Sequence, residues 1–169
     1  MQIRTTKVLA VDPGHEQSAF ALMQRENPPR ILSHGLMDND ALLQLLSTHS
    51  FDGITLALEQ IQGMGMAVGR EVFETCVWSG RFIQVWTPAQ YVRIPRRWVK
   101  QHLCGQDRAK DQNVRQAILD RFGGARARGV KASPGPLYGV KADVWAAVAV
   151  GLTYFESSDH FDENGRVEP

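Results

Sequence analysis

The sequence predicts an α/β domain, a mixed five-stranded sheet flanked by helices, and three observations carry that reading. Three short apolar runs follow one another within the first 36 residues, separated by turn residues, before any helical periodicity begins. Strand-like and helix-like segments then alternate along the chain. The last long segment, Lys141–Phe155, is apolar almost all round, the pattern of a helix buried against other elements.

The elements follow in order. Lys7–Val11 (KVLAV) is stopped by Asp12-Pro13-Gly14 and reads as a buried central strand. Ser18–Met23 follows at hairpin distance, and Pro28-Pro29 separates it from Ile31–Leu36; these two strands are expected to run antiparallel to the first. Asp38–Ser47 carries Leu42, Leu43, Leu45 and Leu46 behind the capping candidates Asp38 and Asn39, and reads as a helix. Ile54–Leu58 is a fourth strand that runs into Glu59-Gln60. Met66–Trp78, with Met66, Phe73, Cys76 and Val77 near helical spacing, predicts a helix punctuated by Gly80, and Phe82–Trp86 reads as the fifth strand. In Asp111–Phe122 the apolar Val114, Ala117, Ile118 and Phe122 recur at i, i+3, i+4 and i+8, the clearest amphipathic helix of the chain. Pro134-Gly135-Pro136 breaks the chain before the final helix. Residues 1–155 are read as one domain and 156–169 as an acidic, flexible tail.

Composition bounds the class. The chain has 169 residues, fewer than the roughly 250–300 at which chains divide, and 43% hydrophobic with 22% charged residues is ordinary for a globular protein. Cys76 and Cys104 have no ligand spacing and read as reduced thiols. The polar start and the short Val8–Val11 run give no signal segment, and no stretch approaches a membrane span of about 20 apolar residues, so a cytoplasmic protein is expected. The glycines at 63, 65 and 69 lie past a strand without opening a helix directly, so no nucleotide cofactor is expected. Scattered histidines show no ligand spacing, and His15, beside the Asp12 turn, reads as a loop residue.

Charge is unevenly placed. Nineteen Lys and Arg against eighteen Asp and Glu give a net +1. Residues 1–90 hold 6 basic and 9 acidic groups, residues 91–131 hold 11 and 3, and residues 132–169 hold 2 and 6. The middle block (Arg93, Arg96, Arg97, Lys100, Arg108, Lys110 and Arg115 among others) interleaves with Tyr91 and Trp98. It favours contact with a phosphate backbone, which supplies salt-sensitive affinity without reading sequence.

Three carboxylates stand apart from that block. Asp12 ends the first strand, Glu59 ends the fourth, and Asp143 lies near the start of the apolar last helix. Each alone has an ordinary explanation: a turn former, a strand-end residue, a charge favoured by the helix dipole. Together they fit one mouth, because sites in α/β sheets gather at the carboxyl ends of strands. Clustered carboxylates repel, and a hard divalent cation with oxygen ligands, Mg²⁺ or Mn²⁺, relieves that.

The segments Val8-Leu9-Ala10-Val11-Asp12-Pro13-Gly14, Ala57-Leu58-Glu59-Gln60, Ala109-Lys110-Asp111 and Ala142-Asp143-Val144-Trp145-Ala146-Ala147 together resemble the RuvC-type Holliday junction resolvases, phage-encoded members especially. The resemblance spans roughly residues 7–155. It implies an RNase H-like fold, a homodimer, an acidic metal site and Mg²⁺-dependent cleavage of four-way DNA junctions, leaving 5′-phosphate and 3′-hydroxyl ends; the carboxylate chemistry admits Mn²⁺ as well and two ions per site, and a phage-encoded protein would act in the host cytoplasm. It makes Asp12, Glu59 and Asp143 metal-binding and catalytic, with Lys110 a basic residue near them. The family commonly has a further Asp or His three residues before the last acid. Here that position is Val140, with Lys141 the nearest polar group, which leaves open whether three carboxylates suffice or Lys141 assists at the phosphate. Met64 or Met66, in the glycine-rich loop after Glu59, is a candidate wedge at unstacked bases. The part of Met66–Trp78 bearing Phe73 and Val77 is a candidate dimer contact. A branched-DNA binding protein with weakened catalysis, and an RNase H-like nuclease acting on another nucleic acid, are the alternatives.

Overall fold

The computed structural model describes residues 5–63, 65–88, 90–162 and 165–166. Its order is β1 (Lys7–Asp12), β2 (Gln17–Gln24), β3 (Arg30–Asp38), α1 (Asn39–Thr48), β4 (Ile54–Gln60), α2 (Arg70–Val85), β5 (Tyr91–Pro95), α3 (Arg96–Cys104), α4 (Asp111–Arg121), the short ribbon β6 (Gly129–Val130) and β7 (Ser133–Pro134), and α5 (Val144–Glu156). The five long strands form one mixed sheet in the order β3-β2-β1-β4-β5. β1 pairs with β2 antiparallel and with β4 parallel, and β5 pairs parallel to β4. β3 runs antiparallel to β2, not to β1, because it pairs only with β2 at the sheet edge.

Strand alternation divides the core in two. Val8 and Ala10 of β1, Ala57 of β4 and Val92 and Ile94 of β5 point to the face covered by α3, α4 and α5. Leu9, Val11, Leu56 and Leu58 point to the opposite face, where Leu42 and Leu46 of α1 and Phe82 and Trp86 from α2 and its C-terminal end cover them. The helix α5 is buried along nearly its whole length, as its composition predicts. Gly151 lets it lie close on the sheet, since a Cβ there would come within 2.4 Å of the Met23 sulfur.

Two expectations about the middle of the chain are corrected. Phe82–Trp86 is the end of α2, not a strand, and α2 starts at Arg70, not Met66. Trp78, Phe82 and Trp86 recur at i, i+4 and i+8, so the apolar run that reads as a strand is a helical stripe on the α1 side of the sheet, and Gly80 does not interrupt it. The fifth strand is Tyr91–Pro95, followed at once by α3. The nine-residue α3 is anchored by buried Val99 and Leu103, with Trp98 and Cys104 packed partly buried beside them; its stripe is short and lies in a basic segment, and Pro95 before it and Gly105, left-handed at φ 73°, after it are its boundary signals. The described part of segment 156–169 turns back along β5, where Arg166 bridges Arg93. No helix among the described residues is long and apolar enough to cross a membrane.

Candidate active site and nucleic-acid interface

Parity and register bring two carboxylates together. β1 and β4 run side by side in the same direction with Val11 opposite Leu58, so the next residues, Asp12 and Glu59, lie adjacent at the carboxyl ends. Both share the parity of the residues facing α5. A cavity of about 90 Å³ opens there, lined by Asp12, Glu59, Asp143, Asp111, Arg96, Lys100, Arg115 and Trp145 among others. A neighbouring cavity of about 300 Å³ shares Asp12, Glu59, Arg96 and Lys100 and extends to Arg97 and Asp107.

The chain after Asp12 is braced from within. The backbone N–H of Gly14 donates to Ser18 Oγ (3.2 Å), Ser18 Oγ donates to Asn39 Oδ1 (2.6 Å), and Asn39 Nδ2 donates to the Gly14 carbonyl (2.9 Å). Asn39 is 1% exposed. Only glycine fits at position 14, because a Cβ there would meet the Gln17 carbonyl oxygen. Asp38 and Asn39 therefore do not cap α1 with their side chains as their position suggests: Asp38 accepts from Gln17 and Asn39 holds the Asp12 loop.

Asp143 stands at the N-cap of α5, but its side chain makes no capping hydrogen bond. The residue before it, Ala142, adopts φ 45°, a left-handed conformation costly for a residue with a Cβ. Glu59 is only 8% exposed, and its cationic contact is Arg96 Nη1 at 3.5 Å. Arg96 Nη2 donates to Asp111 Oδ1 at 3.1 Å, and Lys100 Nζ lies 3.5 Å from the same oxygen.

These surroundings shift the acids in opposite directions. Burial, then the charge of Glu59, pushes the Asp12 carboxyl up to about 8; Asp143 and Asp111 add to the push and Arg96 opposes it. Burial also raises Glu59, against the pull of Arg96 and Lys100. Burial would raise Asp111 as well, but its hydrogen bond to Arg96 and the charges of Arg96 and Lys100 outweigh that and lower it. The cluster is short of positive charge on its inner side and compensated on its outer side.

The donor set is all oxygen and suits a hard divalent cation. Yet among the described residues no three such side chains are arranged as a closed ligand group. Arg96 reaches into the place where the acids converge.

The other expected residues fall as follows. Val140 is buried in the core on the α5 side and does not line the cavity. Lys141 is exposed two residues before Asp143, and Lys110 is exposed at the N-cap of α4. Arg96, Arg97, Lys100 and Arg115 line the two cavities, and Arg108 is exposed on the turn between α3 and α4. Arg93 is set apart, lining a cleft between the end of β4 and α2. Met64 lies outside the described residues. His15 is exposed and 3.9 Å from Glu71. Sequence reasoning missed Asp111 as a member of the cluster. As the first residue of α4 it looks like any acid favoured at a helix start, and only the packing of α4 beside α3 brings it to the cavity.

No protein-family model matches the chain, and no curated protein does. Solved structures do match. The chain is similar to the Thermus thermophilus RuvC structure with a TM-score of 0.66 and 17% identity, over 90% of this chain and 96% of that one. It is likewise similar to T. thermophilus RuvC in complex with Holliday junction substrate, with a TM-score of 0.60 and 14% identity, over 88% of this chain and 92% of that one. The fold is RNase H-like, as in RuvC.

Proposed function

We propose that this protein is a metal-dependent, structure-selective DNA endonuclease that resolves Holliday junctions or related branched DNA. The observation that carries the reading is convergence: Asp12, Glu59 and Asp143, separated by 47 and 84 positions in the chain, line one cavity at the carboxyl ends of β1 and β4. The fold shared with a protein solved on a Holliday junction supports the substrate class.

In this reading Asp12, Glu59 and Asp143 hold Mg²⁺ or Mn²⁺, with Asp111 beside them. When bound, two such ions supply Lewis-acid stabilisation of the scissile phosphate and lower the pKa of the attacking water. The chain's own residues do the rest. The Ser18–Asn39 brace fixes the loop that carries Asp12. Arg97, Lys100, Arg108, Lys110 and Arg115 bind backbone phosphates around the cavity and set the DNA against it, and Lys141 at the rim meets a phosphate oxygen. A two-fold homodimer presents two such sites to a two-fold junction. Phe73 and Val77, 61% and 57% exposed on the outer side of α2, support the dimer face.

The experiment is Mg²⁺-dependent cleavage of a synthetic four-way junction, with Asp143→Asn as control and with forks and RNA–DNA hybrids at equal salt. Symmetric nicking of the junction alone is the expected result. Preference for hybrid or fork substrates would replace the substrate class and keep the chemistry. One observation favours a second reading: Val140 is buried where the family implies a further metal ligand. Tight junction binding with no metal-dependent cutting would make the protein a branched-DNA binder.

A further inference from the structure

The acidic cavity contains a cation of the protein's own. Arg96 contacts Glu59 at 3.5 Å and donates to Asp111 at 3.1 Å, and it lines both cavities, at the place where the inner one meets the outer. Its side chain is 50% exposed, so it is tethered to the acids without being enclosed by them. It is the first residue of α3, directly after Pro95, and the N-terminus of that helix has no side-chain cap. Arg97 and Lys100 flank it on the side of the outer cavity.

A guanidinium and a divalent cation compete for the same carboxylate oxygens. A phosphate and a carboxylate compete for the same guanidinium fork, with comparable bidentate geometry. From this arrangement we propose that Arg96 is an exchangeable counter-ion: it holds Glu59 and Asp111 in the free protein and transfers to a DNA phosphate on docking, which frees Glu59 for a divalent cation and leaves Asp111 paired with Lys100 alone. DNA binding and cation binding then strengthen each other through one side chain. The inference rests on the reading of the cavity as a divalent-cation centre and adds how that centre is loaded.

Calorimetric titration of the full chain with Ca²⁺, a hard oxygen-seeking ion, tests it. The titration is run alone and with a four-way junction, the signal of the junction alone subtracted. The junction is expected to tighten Ca²⁺ binding about tenfold, and by linkage Ca²⁺ tightens the junction equally. Arg96→Gln is expected to bind Ca²⁺ about fivefold or more tightly without DNA, and to reduce the effect of the junction to less than about twofold. Arg96→Lys, which keeps the charge beside Glu59 but lacks the fork, retains an intermediate coupling and guards against loss of folding in the glutamine variant. Arg126→Gln, an exposed member of the basic block outside both cavities, leaves DNA-free Ca²⁺ binding unchanged. The proposal is overturned if Arg96→Gln binds Ca²⁺ as the unaltered chain does, or if either Arg96 variant keeps the full effect of the junction; the cation-centre reading then stands. If no form binds Ca²⁺ with or without DNA, the cation-centre reading falls and the proposal with it.

Discussion

Two clusters of carboxylate and arginine lie at opposite ends of α5, and they are balanced in opposite ways. At the C-terminal end, Glu156 accepts from Arg121 Nε at 2.7 Å and Nη2 at 3.1 Å, with His102 Nε2 at 2.8 Å. Burial pushes that carboxyl up, but the bonds to His102 and Arg121 win and hold it at about 2. At the N-terminal end, four carboxylates line one cavity with Arg96, Lys100 and Arg115, and burial with mutual repulsion raises Asp12 to about 8. The first cluster is a finished ion-pair network that ties α3, α4 and α5 together. The second is left short of positive charge, which agrees with the cation centre proposed there.

The largest break between the two clusters is in activity. Asp12→Asn or Asp143→Asn is expected to lower Mg²⁺-dependent junction cleavage on the order of 10²–10³-fold, the scale of losing one charge-stabilising group. Junction affinity without divalent ions, followed by fluorescence anisotropy, stays within about threefold, because the carboxylates themselves hold no phosphate. Glu156→Gln leaves cleavage per folded molecule unchanged.

In stability the two clusters have opposite signs. Asp12 keeps its proton in the folded state up to about 8 but releases it near 3.8 when unfolded, so the folded chain binds more protons between those values and this contribution falls as pH rises. Asp12→Asn removes that loss and is expected to raise stability at pH 8 by roughly 1–3 kcal/mol in urea unfolding without divalent ions. Glu156 is the reverse: its contribution is fully present above about 4.5 and is lost as pH falls toward about 2. Glu156→Gln is expected to cost roughly 1–2 kcal/mol at pH 7, discounted because the carboxylate keeps 35% of its surface in water.

A smaller effect separates the acids from the surrounding basic surface. Replacing Arg97 and Arg115 by Gln is expected to reduce the slope of log affinity against log salt by about one per residue, measured between about 50 and 200 mM. Turnover at saturating DNA changes little. The smallest effect is at Ala142. Glycine relieves its left-handed strain but gains freedom in the unfolded chain, so Ala142→Gly is expected to shift stability by less than about 0.5 kcal/mol.

Legibility in the sequence followed the physics of each element. Strands closed by turn signals and the almost wholly apolar α5 were readable because burial on a sheet leaves little other composition. The convergence of Asp12, Glu59 and Asp143 on one cavity was readable only from the three together, two at strand ends and one at the start of the buried helix, since each alone has an ordinary structural use. The end of α2 was misread because four apolar residues in five positions have no distinguishing period until Trp78 is counted with Phe82 and Trp86. α3 is hard to see because its stripe of Trp98, Val99, Leu103 and Cys104 is short and its remaining residues read as part of the basic surface. Arg96 and Asp111 illustrate the remaining limit. Both were visible as charges, one assigned to the basic surface and the other to a helix start, and their pairing depends on α3 and α4 packing side by side.

The brace behind Asp12 has a consequence in hydrogen exchange. The Gly14 amide is tied to Ser18, whose partner Asn39 is inside the protein and returns a bond to the Gly14 carbonyl. A loop closed in this way opens only when α1 separates from the β1–β2 turn. Its amide is therefore expected to exchange with the slow set of the sheet, not with the fast set of the surface loops. The end of the chain's first strand would then keep its shape on the timescale of many encounters with DNA, and the adjustable part of the site would be the cations around it.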